Sequence, residues 1–176
     1  MSCGGVVEDP KCLYVASLRL SAVLAAVGRS RGFIRRTLCE WGLQALLDSV
    51  ELVVSELVTN AVKTTATIAC PPSVHHVIGV QLRMVGASLY VEVWDPGEGI
   101  PVIREQTLEA EGGRGLFLVE AVSERWDICR PAVGGKIVWA ELSVPAIKGQ
   151  VVEPRTAGFG AEWERVETAL RQRVLA

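Results

Sequence analysis

Apolar residues recur along this chain at two periods, and the switching between them outlines the fold. From Ser21 to Trp41 the apolar positions Val23, Val27, Ile34, Leu38 and Trp41 keep helical spacing. Gly28 and Gly32 weaken that helix, and Gly42 is placed to end it. A second helix is expected from about Ala45 to Thr64, with Leu46, Val50, Val53, Leu57 and Ala61 along its apolar stripe. The Cys70-Pro71-Pro72 region breaks the pattern. Gly115 to Trp126 predicts a third helix, with Leu116, Val119 and Val122 on one side.

Between the helices lie stretches rich in β-branched and apolar residues. Cys12 to Leu20 reads as a first strand. Val77 to Val85 and Ser88 to Trp94 read as two more, joined through Val85-Gly86-Ala87 as a hairpin. Trp126 to Arg130 and Lys136 to Val144 suggest a final hairpin across Pro131 to Gly135. Helices interleaved with such strands predict an α+β two-layer sandwich, with helices packed on one face of a mixed, mostly antiparallel sheet.

The domain is expected to span residues 11–145. Residues 1–10 read as a flexible leader, and Val102 to Glu111, polar and acidic, as a mobile loop. Residues 146–176 read as a linker followed by an amphipathic helix, with Trp163, Val166, Leu170 and Val174 apolar. Self-packing of that helix is preferred to docking elsewhere.

Composition narrows the function. Eighteen Lys+Arg stand against twenty Asp+Glu, a formal net charge of -2, which argues against a general nucleic-acid or anionic-membrane binder. The five cysteines are scattered, odd in number and form no C-x-x-C pair. Free thiols in a reducing, cytoplasmic setting fit them better than a disulfide framework. No signal-peptide pattern opens the chain, and no apolar run reaches membrane-spanning length. The adjacent His75 and His76 lack the spaced partners of a zinc site.

Three segments carry chemistry. The chain has a single asparagine, Asn60, four residues after Glu56, so both project from one face of the second helix. An Asn oxygen suits Mg²⁺, a hard cation that prefers oxygen donors. Glu56 is placed to hold a water or take a proton from an attacking hydroxyl, and Lys63 to meet phosphate as a point charge. A solvated helix face is the plain alternative.

The second segment is Asp95-Pro96-Gly97-Glu98-Gly99. A carboxylate at a strand end beside glycines can accept a hydrogen bond from an exocyclic amine such as that of adenine, with no Cβ barring approach. An ordinary Asp-Pro-Gly turn is the alternative. In the third, Gly112-Gly113-Arg114-Gly115-Leu116, glycines open a helix and offer backbone N–H groups to a phosphate. A hinge would look the same, and the spacing fits neither a P-loop nor a dinucleotide fingerprint.

Order and spacing bind the three together. From about Ala16 to Val144 the chain resembles the histidine-kinase-like ATPase (GHKL) superfamily with its Bergerat fold. Glu56 to Ala61 is similar to its N box, Asp95 to Gly99 to its G1 box, Gly113 to Leu116 to its G2 box, and Gly135 to Trp139 to its closing strand. Within it, the chain is most similar to bacterial anti-sigma-factor serine kinases.

That resemblance implies ATP and Mg²⁺ as cofactors. Asn60 would hold Mg²⁺, Lys63 would lie near phosphate, and Asp95 would recognise adenine. Gly97, Gly99, Gly113 and Gly115 would shape the pocket, with Arg114 and Leu116 among the nucleotide-binding residues. Glu56 would be the base that activates a serine on a small anti-sigma antagonist. The partner would be that antagonist or a sigma factor, and a homodimer is left open.

Two positions depart from the family pattern. Ile137 stands where the closing strand often carries Thr and cannot hydrogen-bond toward adenine. Thr64 stands where many relatives have His. A nucleotide-sensing switch that binds a partner without phosphorylating it is therefore the alternative function. The detached ATPase half of a histidine kinase fits less well, because no phospho-acceptor histidine context is visible.

Overall fold

The computed structural model describes residues 12–69, 76–99 and 114–145. In chain order the elements are β1 (Cys12–Ser21), α1 (Ala25–Glu40), a short 3-10 turn (Gln44–Leu46), α2 (Leu47–Thr65), β2 (Val77–Val85), β3 (Ser88–Asp95), α3 (Arg114–Val122), β4 (Arg125–Cys129) and β5 (Lys136–Ser143). The strands form one sheet in the order β1-β2-β3-β5-β4, antiparallel at every described pairing. The fold is an α+β sandwich.

Strand alternation sorts the side chains into two faces. Leu89, Val91 and Val93 of β3 and Val138, Ala140 and Leu142 of β5 join Ile34 and Leu38 of α1, Val50, Val53, Leu57 and Ala61 of α2, and Leu116 and Val119 of α3 in the main core. Ile137 and Trp139 sit in the other row, in a smaller cluster with Tyr90 and Trp94. The same row carries an ion pair. Arg83 Nε and Nη2 donate to the Glu92 carboxylate at 2.8 and 2.6 Å, and Gln81 Nε2 donates to it at 3.2 Å.

Turns fall where glycine permits them. Gly42 (φ 71°) follows the end of α1, where the Leu43 N–H donates to the Leu38 carbonyl at 2.8 Å. Gly86 (φ 58°) makes the β2–β3 hairpin.

Element edges differ from the sequence reading by three residues or more at two helix ends. The first helix starts at Ala25 rather than Ser21, because Ser21 stays in β1 opposite Val77 and Ala22 N–H donates to the His76 carbonyl at 2.7 Å. The third helix stops at Val122, short of Trp126. Ser123 Oγ donates back to the Val119 carbonyl at 2.7 Å, and Glu124 N–H donates to the Glu141 carbonyl at 2.8 Å, which draws the chain into β4. Trp126 thus pairs with Ala140 in the sheet. The leader, the Val102–Glu111 loop and the C-terminal segment lie outside the described residues. Among the described residues, no helix is long and apolar enough to cross a membrane.

Candidate functional site

Helix α2 is the platform on which the site is assembled. Its stripe of Val50, Val53, Leu57 and Ala61 is 2 % exposed or less and packs on the sheet. Glu56 and Asn60 flank that stripe and are half-buried. No hydrogen bond from a described residue reaches either side chain. Half-buried polar groups at the margin of a core can meet a ligand or water. Lys63 is exposed one turn further on.

Two contacts tie α2 to the glycine segments. A Cβ placed on Gly115, in the first turn of α3, would strike Glu56 Oε2. A Cβ placed on Gly97 would strike Thr64 Cγ2 and come within 2.9 Å of Asp95 Oδ1. The three segments therefore meet along one side of α2, and Thr64 takes part by contact with the loop. A Cβ at Gly99 would meet nothing within 4 Å, so no close approach explains glycine there. Leu116 is 3 % exposed with its side chain in the core. Gly113 lies outside the described residues, and Arg114 is placed as the first residue of α3.

Asp95 ends β3 in the row that faces the helices. Its partner across the β3–β5 ladder is Lys136. Lys136 Nζ donates to Asp95 Oδ1 at 2.8 Å and to the Gly97 carbonyl at 3.2 Å, and both side chains are 2 % exposed. Gly97 N–H donates to the same Oδ1 at 2.9 Å, closing an Asx-type turn. Burial pushes the Asp95 carboxyl above the ordinary range, opposed by the Lys136 and Gly97 hydrogen bonds. Gly135 (φ 73°) has no room for a side chain, since a Cβ there would hit the Asp95 carbonyl.

This register places Ile137 and adds one residue. Ile137 is fully buried on the opposite face with Trp139, so it points away from Asp95 whatever its hydrogen-bonding capacity. Lys136, its neighbour, is the closing-strand residue that enters the site. Alternation of side chains along β5 was the available signal, but it needed the pairing with Asp95 to be read.

The site's donors suit a magnesium-bound nucleotide. The Asn60 oxygen is a hard ligand without a described partner, and Mg²⁺ commonly takes one or two protein oxygens and completes its shell with waters and phosphates. Among the described residues no cluster of three or more His, Cys, Asp or Glu forms a metal cage.

The family model for the histidine kinase-like ATPase domain matches residues 20–142. The chain belongs to this family. No curated protein matches it significantly. Among solved structures it is similar to the RsbU and RsbW domains of Rv1364c from Mycobacterium tuberculosis, at 17% identity and a TM-score of 0.46. The similarity covers 78% of this chain and 35% of that one, so the chain spans about a third of that protein chain's length.

Proposed function

We propose that this chain is an ATP-dependent serine/threonine protein kinase of the anti-sigma-factor type, acting on a small anti-sigma antagonist in the cytoplasm. Membership of an ATPase family supports nucleotide binding. The observation that carries the kinase reading is Glu56. Its carboxylate is half-buried, takes no hydrogen bond from a described residue, and lies against Gly115 where α3 begins. A carboxylate so placed is available as a base beside the position a terminal phosphate would take at the α3 N-terminus.

In this reading the adenine amine donates to Asp95 and the phosphates run from the Gly97 loop toward the first N–H groups of α3. Mg²⁺ held by the Asn60 oxygen would supply charge neutralisation on those phosphates. Lys63, exposed on the same helix, adds a point charge near them. The partner's serine oxygen bonds to the γ-phosphorus as the bond to the β-phosphate oxygen breaks. ADP leaves with that electron pair, and Glu56 takes the hydroxyl proton.

The alternative is a switch that binds nucleotide without turnover, for which the departures at Ile137 and Thr64 leave room. Ile137 lies on the far face of the sheet and Thr64 lies against Gly97. The test is transfer of label from γ-labelled ATP to serine-bearing antagonist proteins. Glu56→Ala should abolish labelling and leave Mg-ATP affinity within about threefold. Mg-ATP binding with no serine labelled in any partner would refute the kinase reading, and full labelling by Glu56→Ala would refute the role of Glu56.

A further inference from the structure

The base-recognition carboxylate is already half spent. Asp95 Oδ1 takes two hydrogen bonds, from Lys136 Nζ at 2.8 Å and from Gly97 N–H at 2.9 Å. No described residue donates to Oδ2. Among the described residues one oxygen is anchored and the other takes no hydrogen bond.

We propose that Lys136 sets base selectivity: by ion-pairing with Asp95 it keeps that carboxylate an acceptor, oriented to take an N–H from a 6-amino purine and to refuse a 6-oxo purine. The proposal rests on the nucleotide reading given above and names a residue that acts through Asp95, as a positioning residue.

The chemistry follows from donor and acceptor counts. An ionised carboxylate can only accept hydrogen bonds, whereas a protonated one also donates. Adenine presents an amine at position 6, and hypoxanthine in the same pose presents a carbonyl oxygen. Against an ionised Asp95 that oxygen meets another acceptor. A buried carboxylate without a cation tends to neutralise itself by taking up a proton. Without Lys136 the acid form, which can donate to a carbonyl oxygen, would gain population and the preference would relax.

The surroundings give Lys136 this task. β5 brings its ammonium to Asp95, while α2 brings neutral Thr64 against Gly97. The adjoining loop brings Glu98, exposed, whose backbone carbonyl accepts from Arg130 Nη2 at 2.7 Å. Among the described residues, Lys136 is thus the charged side chain hydrogen-bonded to Asp95. Its second bond, to the Gly97 carbonyl at 3.2 Å, fixes the ammonium to the loop as well as to the carboxylate.

The experiment measures Mg-ATP and Mg-ITP affinities by calorimetry on the full chain, across the acid to neutral range, for wild type, Lys136→Met and Lys136→Arg. ITP differs from ATP in carrying the 6-oxo group. Wild type should favour ATP by about tenfold or more, the scale of one charge-assisted hydrogen bond. Lys136→Met should lose most of that preference at neutral pH and need a higher pH to bind ATP; Lys136→Arg should keep it. A wild-type ATP-to-ITP ratio and acid limb in Lys136→Met would overturn the proposal, because a purely structural lysine would leave both unmoved. If Lys136→Met does not fold, Lys136→Gln, neutral but able to hydrogen-bond Oδ1, is judged by the same ratio. Failure of the wild type to bind any purine triphosphate would sink the nucleotide reading itself, and this proposal with it.

Discussion

The Glu56 carboxylate fills the space that a side chain on Gly115 would occupy, so α2 and the start of α3 meet through a missing Cβ. The atom in the way is the far end of a flexible side chain, and Gly115 has an ordinary helical backbone. Gly115→Ala should therefore fold, with helix propensity favouring the change by up to about 1 kcal/mol. It should displace Glu56 and lower phosphoryl transfer by about tenfold or more while Mg-ATP still binds. Thermal melting with label transfer checks this. Unchanged transfer in a folded Gly115→Ala variant would mean that the position of Glu56 is immaterial.

Asp95→Asn tests base recognition. The substitution puts a neutral isostere beside Lys136, so the desolvation it relieves offsets the ion pair it removes. It also replaces an acceptor with a carboxamide. Adenine nucleotides should bind about ten- to a hundredfold more weakly, with GTP affected less. Calorimetry measures the binding loss, and urea unfolding checks that the variant folds. Equal loss for ATP and GTP would argue against base recognition.

How far the sequence could be read depended on which elements carry a local signal. The α2 stripe was legible because Val50, Val53, Leu57 and Ala61 repeat at helical spacing, and Glu56 and Asn60 followed from the same geometry. The β2–β3 hairpin was legible through Gly86. The partner of Asp95 was not, because facing on a strand depends on register and a shift of one residue exchanges the faces. Lys136 and Ile137 are neighbours, and the pairing of Asp95 with Lys136 alone decides which one enters the site. The end of α3 was hidden for a similar reason. Trp126 suits a helix or a strand, and its ladder with Ala140 is a long-range contact. The Arg83–Glu92 pair gave no local signal, since the two residues belong to different strands.

That pair makes a second, independent test of the fold. Arg83 and Glu92 side chains are 3 % and 0 % exposed, and the guanidinium engages the carboxylate through two nitrogens. Arg83→Met should destabilise the chain by about 3–5 kcal/mol by stripping a buried carboxylate of its charge partner. The double variant Arg83→Met with Glu92→Leu should recover part of the loss, because two apolar groups need no counter-charge, while the buried Gln81 amide loses its acceptor. A double-mutant cycle in urea reads the coupling. Simple additivity of the two changes would show that the pair does not act as a unit.

Stability should respond to pH in opposite senses at Asp95 and Glu141. Burial holds the Asp95 carboxyl above its ordinary range, so the folded chain keeps this proton longer than the unfolded chain does. Between the unfolded value, about 3.9, and the raised folded value, the native state binds more protons, and stability from this group falls as pH rises through that window. Glu141 is the reverse. Burial raises its pKa, but hydrogen bonds from Ser88 and Arg125 outweigh this and leave it below the ordinary range. Its contribution is in place above the unfolded value and is lost as pH falls through the folded one. Urea midpoints of wild type, Asp95→Asn and Glu141→Gln across the acid range separate the two. Wild type should lose ground to Asp95→Asn as pH rises from the ordinary carboxylate range. It should lose ground to Glu141→Gln as pH falls below that range. The slopes are the readout, because each substitution also shifts stability by a pH-independent amount. Slopes of the same sign would mean that burial does not dominate at Asp95, and the ion pair with Lys136 would then have to be stronger than the geometry implies.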